Sequence, residues 1–150
     1  MVRFEAVIGL TAATILTLPS PPVGAQPLNH LHMSDLVNEF NAFRAKMNEK
    51  ILGEDQLVLK RLFNLDSQTY APGALDAKTK EMLGLVASMV LRCDDCVRYH
   101  LQACHDLGLK KAEVFEVFSV ATIVGGTIVI PHLRRAVEFW EALEAQPDQP

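Results

Sequence analysis

The 150-residue sequence lacks what several large classes of protein require. Its three cysteines are too few for a disulfide-stapled scaffold. Lysine and arginine form no block and the net charge is −4, so we expect no nucleic-acid partner. No apolar run reaches the roughly 18 residues that a membrane span needs, so we expect no membrane partner. A glycine-rich phosphate loop and a GxSxG nucleophile motif are also missing.

The chain is long enough for one domain with a sizeable core, because 49% of its residues are hydrophobic. Apolar residues recur at helical spacing, and only the short run 127–130 has strand character. The sequence therefore predicts an all-α fold of about six helices. The first is expected to open at Met33 with Ser34 or Asp35 as its N-cap, and the others to span about 54–64, 77–91, 93–107, 110–123 and 132–143. Asp76 is the expected N-cap of the third helix, and Gly108 is expected to end the fourth. In the second helix, Leu57, Val58, Leu62 and Phe63 are predicted to face inward.

Residues 1–32 are expected to lie outside the fold, and two interpretations of them stay open. The apolar run Ala6–Leu18 and the small residues after it are typical of a signal peptide over residues 1–25, which would make the protein an exported one. In the alternative, which we favour, translation starts at Met33 and the protein is cytoplasmic. Either way the predicted domain covers residues 33–145, followed by a short frayed tail to residue 150.

One helical stripe carries most of the reactive side chains. Cys93, Cys96 and His100 follow one another at single-turn spacing in the predicted fourth helix. Residues three apart on a helix lie about 5–6 Å apart, so the two cysteines can form and open a disulfide with little backbone movement. His100 can take the Cys96 proton directly or through a water. A helix start near Cys93 favours a thiolate there, whereas Asp94 and Asp95 oppose it.

Other interpretations of these residues stay open on pattern alone. The CxxC can be two small core residues, or half of a zinc site completed by His100 with Cys104 or His105. One helix cannot surround an ion, however, and only His132 and scattered carboxylates are available elsewhere. Glu81, in the first turn of its helix, suits the helix dipole. Cys104 is assigned to packing, His105 to the surface and His132 to a first turn.

The spacing of four residues resembles a known family. Glu81, eleven further residues and then Cys93-x-x-Cys96-x-x-x-His100 resemble the alkylhydroperoxidase D-like branch of the carboxymuconolactone decarboxylase family. The resemblance covers residues 33–145. It implies a helical fold, a homo-oligomer (trimer or hexamer) and thiol-dependent peroxide or disulfide chemistry. It also implies that Glu81 relays protons with His100 to Cys96.

We therefore expect a thiol-dependent peroxidase or disulfide oxidoreductase with Cys96, Cys93, His100 and Glu81 as catalytic residues. The expected substrate is a small-molecule hydroperoxide. An external dithiol, either a lipoyl group or a thioredoxin-like reductant, would reopen the disulfide. No metal, flavin or nicotinamide cofactor is expected.

Two other functional classes stay open. The first is a cofactor-free decarboxylase of a small lactone acid, which would need a basic pocket for carboxylates and no cysteine. Its candidate basic residues are Arg92, Arg98, Arg134 and Arg135, of which the last two are most simply a solvated face. The second is a non-catalytic, redox-sensing oligomer. Thiol alkylation should abolish a peroxidase and spare a decarboxylase.

Overall fold

The computed structural model describes residues 28–146, which form six α-helices and one short 3-10 turn without any strand. The predicted all-α class of about six helices is thereby confirmed. No helix in this range combines the length and the apolar character needed to cross a bilayer. The elements are α1 (Leu28–Gly53), α2 (Leu57–Tyr70), α3 (Ala77–Leu91), α4 (Asp94–Asp106), α5 (Lys111–Gly125), the 3-10 turn Thr127–Val129 and α6 (Ile130–Glu144).

The start of α1 differs from the prediction. The helix begins at Leu28, so neither Ser34 nor Asp35 is its N-cap. The sequence has no proline or glycine between Leu28 and the end of the helix at Gly53, so nothing in it stops the helix at Met33. The possible signal peptide lies outside the described residues. The domain limits at residues 33 and 145 stay a prediction.

The core is built by five of the helices. α3 packs against both α4 and α5, and α6 packs against α4 and α1. Phe40 of α1 meets Phe139 of α6 edge to face, with ring centroids 5.4 Å apart. Leu85 of α3 and Leu101 of α4 are fully buried. This packing fixes α3 against α4, the two helices that carry the predicted site residues.

The second helix is the exception, because α2 has no buried residue. Leu57, Val58 and Leu62 are 57%, 73% and 59% exposed, and Phe63 is half-buried. The prediction that they face inward is wrong for the single chain. The apolar stripe is real, but α2 packs only slightly on its neighbours, mainly α1 and α3, so no surface among the described residues covers it.

The junction between α3 and α4 follows the sequence closely. Asp76 caps α3 as predicted, with Oδ1 accepting the Thr79 backbone N–H at 2.7 Å. The predicted break falls at Arg92, whose φ of 61° is left-handed. The Cys93 N–H then donates to the Ser88 carbonyl at 3.1 Å, which closes the end of α3. α4 therefore starts immediately after Cys93.

Candidate active site

The two cysteines of the motif lie at the start of α4. Their sulfurs are paired as a disulfide, and their Cα atoms are 5.3 Å apart. Cys93 is the N-cap residue of α4, and its Sγ accepts the Cys96 backbone N–H at 3.4 Å. Cys96 is exposed and Cys93 is half-buried. An external reductant or oxidant can therefore approach Cys96 more easily than Cys93.

A buried acid–imidazole pair lies on the neighbouring turns of α3 and α4. Nδ1 of His100 lies 2.7 Å from Oε2 of Glu81, and both side chains are buried. Such a short contact with a carboxylate requires a hydrogen on Nδ1, so the imidazole donates to Glu81. In the neutral ring, Nε2 is then left as the proton acceptor. The Glu81 carboxylate thus fixes both the tautomer and the orientation of His100.

A glycine makes room for this imidazole. Gly84 is buried on α3, one turn after Glu81. A β-carbon at position 84 would lie 2.6 Å from Cε1 and 2.8 Å from Nδ1 of His100, and 2.8 Å from the Tyr70 hydroxyl. Real β-carbons do not approach other atoms so closely, so only glycine permits this arrangement. The His100 ring of α4 can consequently pack directly against the backbone of α3.

Two tyrosines flank His100. The ring centroids of Tyr70 and Tyr99 lie 5.0 Å and 5.1 Å from that of the imidazole. The Lys80 ammonium holds Tyr70 in place by donating to the backbone carbonyls of the residues on either side of it, at 2.9 and 2.6 Å. Burial, reinforced by the Glu81 charge, raises the pKa of both phenols. Both hydroxyls therefore stay protonated near neutral pH.

A cleft of about 330 Å³ opens beside this group. Its size suits a small molecule. On one side the Arg44 guanidinium carbon lies 4.3 Å from the ring centroid of Tyr99. Cys96 and His100 open into the same space. The residues that line it are Arg44, Asp66, Asp95, Cys96, Tyr99 and His100.

A second charged group ties α4 to α6. The Asp94 carboxylate accepts from His132 Nδ1 at 2.7 Å and from Arg135 Nε at 2.9 Å. Partial burial raises the pKa of Asp94, but the hydrogen bonds from His132 and Arg135 outweigh it, so the pKa is lowered overall. His132 lies in the first turn of α6 and Arg135 is exposed, as expected, but both also bind the residue that follows Cys93.

Comparison with known proteins identifies the family. The model of the carboxymuconolactone decarboxylase family matches residues 56–139, more than half of the chain. The chain belongs to the carboxymuconolactone decarboxylase family. Two crystal structures of a Thermotoga maritima protein are 57% identical to it, with TM-scores of 0.70 and 0.68. The matches cover 71% of this chain and 94% and 90% of the two solved chains. The second structure is that of a carboxymuconolactone decarboxylase family protein with a suggested part in an antioxidative response.

A further relative comes from Paracoccus denitrificans. It is an uncharacterised protein, number 4 in the cox locus, and is 22% identical over 80 residues. The match spans 53% of this chain and 72% of that relative. Within the carboxymuconolactone decarboxylase family, the CxxC and His100 of this chain are consistent with the alkylhydroperoxidase D-like branch.

Several other candidate residues of this family member lie away from the cleft. Cys104 is fully buried, and desolvation, followed by the Glu81 charge, raises the pKa of its thiol to about 12. This burial agrees with the predicted packing role. His105 packs on Trp140, with ring centroids 5.4 Å apart. Between residues 35 and 146, no three His, Cys, Asp or Glu side chains come together as a metal site requires.

The arginines considered for carboxylate binding are also elsewhere. Arg98 lies against the rings of Phe40 and Phe139 and 3.7 Å from an oxygen of Asp95. Arg135 binds Asp94, while Arg92 and Arg134 are exposed. The arginine that lines the cleft is Arg44, which the sequence analysis had assigned no role.

Sequence reasoning also missed Gly84, Tyr70 and Tyr99. Gly84 carried a usable signal, because glycine inside a helix costs about 1 kcal/mol relative to alanine and so needs a packing reason. Tyr70 carried no such signal in the sequence, since it reaches His100 from a different helix. Tyr99 adjoins His100 in the sequence, but this adjacency does not predict ring contact.

Proposed function

We propose that the protein is a thiol-dependent peroxidase in which Cys96 is the nucleophile. The observation that carries the proposal is the buried Glu81–His100 pair, which opens on the cleft where Cys96 is exposed. A base held in one tautomer beside an accessible thiol is the arrangement that nucleophilic cysteine chemistry needs. The 57% identical Thermotoga maritima protein, with its suggested part in an antioxidative response, supports the same class of activity.

In the proposed first step, Nε2 of His100 takes the Cys96 proton, directly or through one water. Glu81 stabilises the imidazolium that forms, because its carboxylate already accepts from Nδ1. The thiolate then attacks the distal oxygen of the hydroperoxide and the O–O bond breaks. The alkoxide leaves as an alcohol on taking the proton back from His100, and Cys96 becomes a sulfenic acid.

Cys93 completes the proposed cycle. Its thiol condenses with the sulfenic acid, which releases water and closes the disulfide. Their Cα separation of 5.3 Å requires no rearrangement of the backbone. Because Cys96 is exposed, burial does not protect its sulfenic acid from further oxidation. Rapid condensation with Cys93 has to provide that protection.

An external dithiol completes the redox balance of the cycle by reducing the disulfide. It gives two electrons and two protons to the disulfide and is itself oxidised, so that each turnover converts one hydroperoxide to one alcohol and one water. We propose a lipoyl group or a thioredoxin-like protein as the reductant. The scheme requires no metal or organic cofactor. We further propose that the protein acts as a homo-oligomer, a trimer or a hexamer.

The test is peroxide consumption by the full chain, first with dithiothreitol and then with a lipoyl donor. We expect turnover with both cumene hydroperoxide and hydrogen peroxide, and its loss when the reduced protein is alkylated. Disulfide formation by peroxide without turnover under any reductant would instead favour the redox-sensing alternative. Activity on a lactone acid that survives alkylation would favour the decarboxylase alternative.

A further inference from the structure

Asp94, the acidic residue directly after Cys93, binds two side chains of α6, those of His132 and Arg135. Oδ2 of Asp94 lies 2.9 Å from Arg135 Nε, and Oδ1 lies 2.7 Å from His132 Nδ1. His132 is 16% exposed, so this part of the contact is largely shielded from water. A hydrogen on Nδ1 lets the imidazole donate to Asp94, which is the shorter of the two contacts of this nitrogen, since Arg135 Nη2 lies 3.1 Å from it.

Asp94 is the first residue of α4, and Cys93 is the N-cap of the same helix. A free carboxylate at this point would add negative charge where a thiolate forms on reduction. Arg135 supplies one positive charge to that carboxylate. The backbone N–H groups at the start of α4, one of which already points at Cys93 Sγ, can then stabilise a thiolate.

We propose that Arg135 of α6 tunes the dithiol by neutralising Asp94, and thereby stabilises the thiolate form of the reduced CxxC. Arg135 is a positioning and charge-balancing residue, since the proposed effect acts through Asp94. The proposal rests on the proposed function only in that Cys93 and Cys96 interconvert between disulfide and dithiol. It requires no particular peroxide.

The direction of the effect follows from the redox balance. Reduction of the disulfide takes two electrons and two protons from a reductant dithiol, and a thiol of the product then loses a proton to water. Whatever stabilises the thiolate draws this equilibrium toward the reduced form and makes the disulfide more oxidising. Loss of Arg135 should therefore favour the disulfide, while loss of the Asp94 charge should favour the dithiol.

The experiment measures the equilibrium between the full-length protein and mixtures of reduced and oxidised dithiothreitol at pH 7. Samples are quenched with an alkylating agent, and the modified cysteines are counted by mass spectrometry. We expect the equilibrium constant for reduction to fall roughly threefold to tenfold in Arg135→Gln and to rise by a similar factor in Asp94→Asn; one pKa unit corresponds to tenfold. The double variant should return near the wild-type value.

Two controls separate charge from geometry. Arg134→Gln removes the same charge from the neighbouring exposed position and should leave the equilibrium unchanged. Arg135→Lys keeps the charge and should stay within about twofold of the wild type. Every variant keeps the charged groups of the cleft and the buried acid–imidazole pair. These residues are Arg44, Asp66, Glu81, Asp95 and His100.

The signs of the two shifts decide the proposal. Opposite shifts that cancel in the double variant support it. Shifts of the same sign in Arg135→Gln and Asp94→Asn would mean that the contact acts only by holding α4 in place, and would overturn it. Shifts no larger than that of Arg134→Gln would overturn it as well. None of these outcomes depends on peroxide turnover, so the proposed function stands or falls separately.

Discussion

Gly84 and His100 are in direct contact, with the imidazole lying where the β-carbon of any other residue at position 84 would be. That β-carbon would come 2.6 Å from His100 Cε1. The acid–imidazole pair therefore requires glycine, which has no side chain, at position 84 as well as Glu81. The CxxC motif does not predict this requirement, because the glycine lies on another helix.

Gly84→Ala should impair activity more than stability. Alanine favours the helix by about 1 kcal/mol, which offsets part of the crowding. The His100 ring must shift, however, and a displacement of roughly 1 Å can cost on the order of 10²-fold in rate. Peroxide turnover and thermal melting measure the two effects. The control is Gly73→Ala, whose β-carbon would meet only Lys80 Nζ at 3.8 Å. Wild-type turnover in Gly84→Ala would show that the ring position is not needed.

The roles of the two cysteines can be separated by trapping. Cys96→Ser should abolish both peroxide consumption and the first sulfenic acid, because Cys96 is the exposed thiol beside His100. Cys93→Ser should still form one sulfenic acid at Cys96, which dimedone labels, but should not recycle normally. Labelling of Cys93 in the Cys96→Ser protein would reverse the two roles. Full activity in both variants would remove the dithiol from the mechanism.

Cys104 provides an internal control for that experiment. Its thiol is buried, and desolvation raises its pKa to about 12. Thiolate, not thiol, is the reactive form, so Cys104 should resist alkylation in the folded, reduced protein. Cys104→Ser should leave turnover nearly intact. Mass spectrometry after a short exposure to iodoacetamide should find label on Cys96 and none on Cys104.

The proton relay predicts a graded loss of rate. Glu81→Gln keeps the shape of the side chain but removes the charge that stabilises the imidazolium. His100→Ala removes the base. We expect peroxide turnover to fall on the order of 10²–10⁴-fold in each variant. Because the two residues act as a pair, the double variant should be little worse than His100→Ala alone. Losses that multiply would indicate independent roles.

Local sequence signals predicted the elements well where the relevant chemistry is local. Asp76 caps α3, and Gly108, which has a φ of 75°, follows the end of α4 as expected. The relation between Glu81 and His100 could be inferred only through the family resemblance. The contact of Asp94 with Arg135 could not be predicted, since ion pairs between distant helices leave no periodic pattern in the sequence. For α2 the apolar pattern was correct, but the described residues provide no surface that buries it.

The pH dependence of stability should report on Asp94. Partial burial raises its pKa, but the hydrogen bonds from His132 and Arg135 outweigh this and lower it overall. An acid with a lower pKa in the folded state stabilises the fold above its unfolded pKa of about 3.9. That stabilisation is lost as the pH falls through the folded pKa. The difference in unfolding free energy between wild type and Asp94→Asn should therefore be constant above about pH 5 and shrink at lower pH.

Urea denaturation at a series of pH values measures this difference. Asp95→Asn is the matched control, because the Asp95 carboxylate is 72% exposed and 3.7 Å from Arg98. Such an exposed pair contributes little to stability, so that variant should track the wild type. A difference for Asp94→Asn that grows as the pH falls would have the opposite sign to the one that its lowered pKa requires.

The exposed apolar surface predicts self-association. Ile123 of α5 is 86% exposed and Val58 of α2 is 73% exposed, values unusual for such side chains in a stable monomer. The described residues leave these faces uncovered, so we expect them to be buried between copies of the chain. Light scattering should therefore give the mass of a trimer or a hexamer. A monomer at micromolar concentration would contradict this prediction.

Charged substitutions test which face is used. Val58→Glu combined with Leu62→Glu should shift the protein toward smaller species, because burying an unpaired carboxylate in an apolar interface is strongly unfavourable. Gln68→Glu adds one negative charge at an exposed polar position of the same helix and should leave the mass unchanged. If the Val58 and Leu62 variant keeps the wild-type mass, α2 is not in the interface, and Ile123→Glu becomes the informative change. The cleft lies beside α2, since Asp66 lines it, so dissociation through this helix should also lower peroxide turnover.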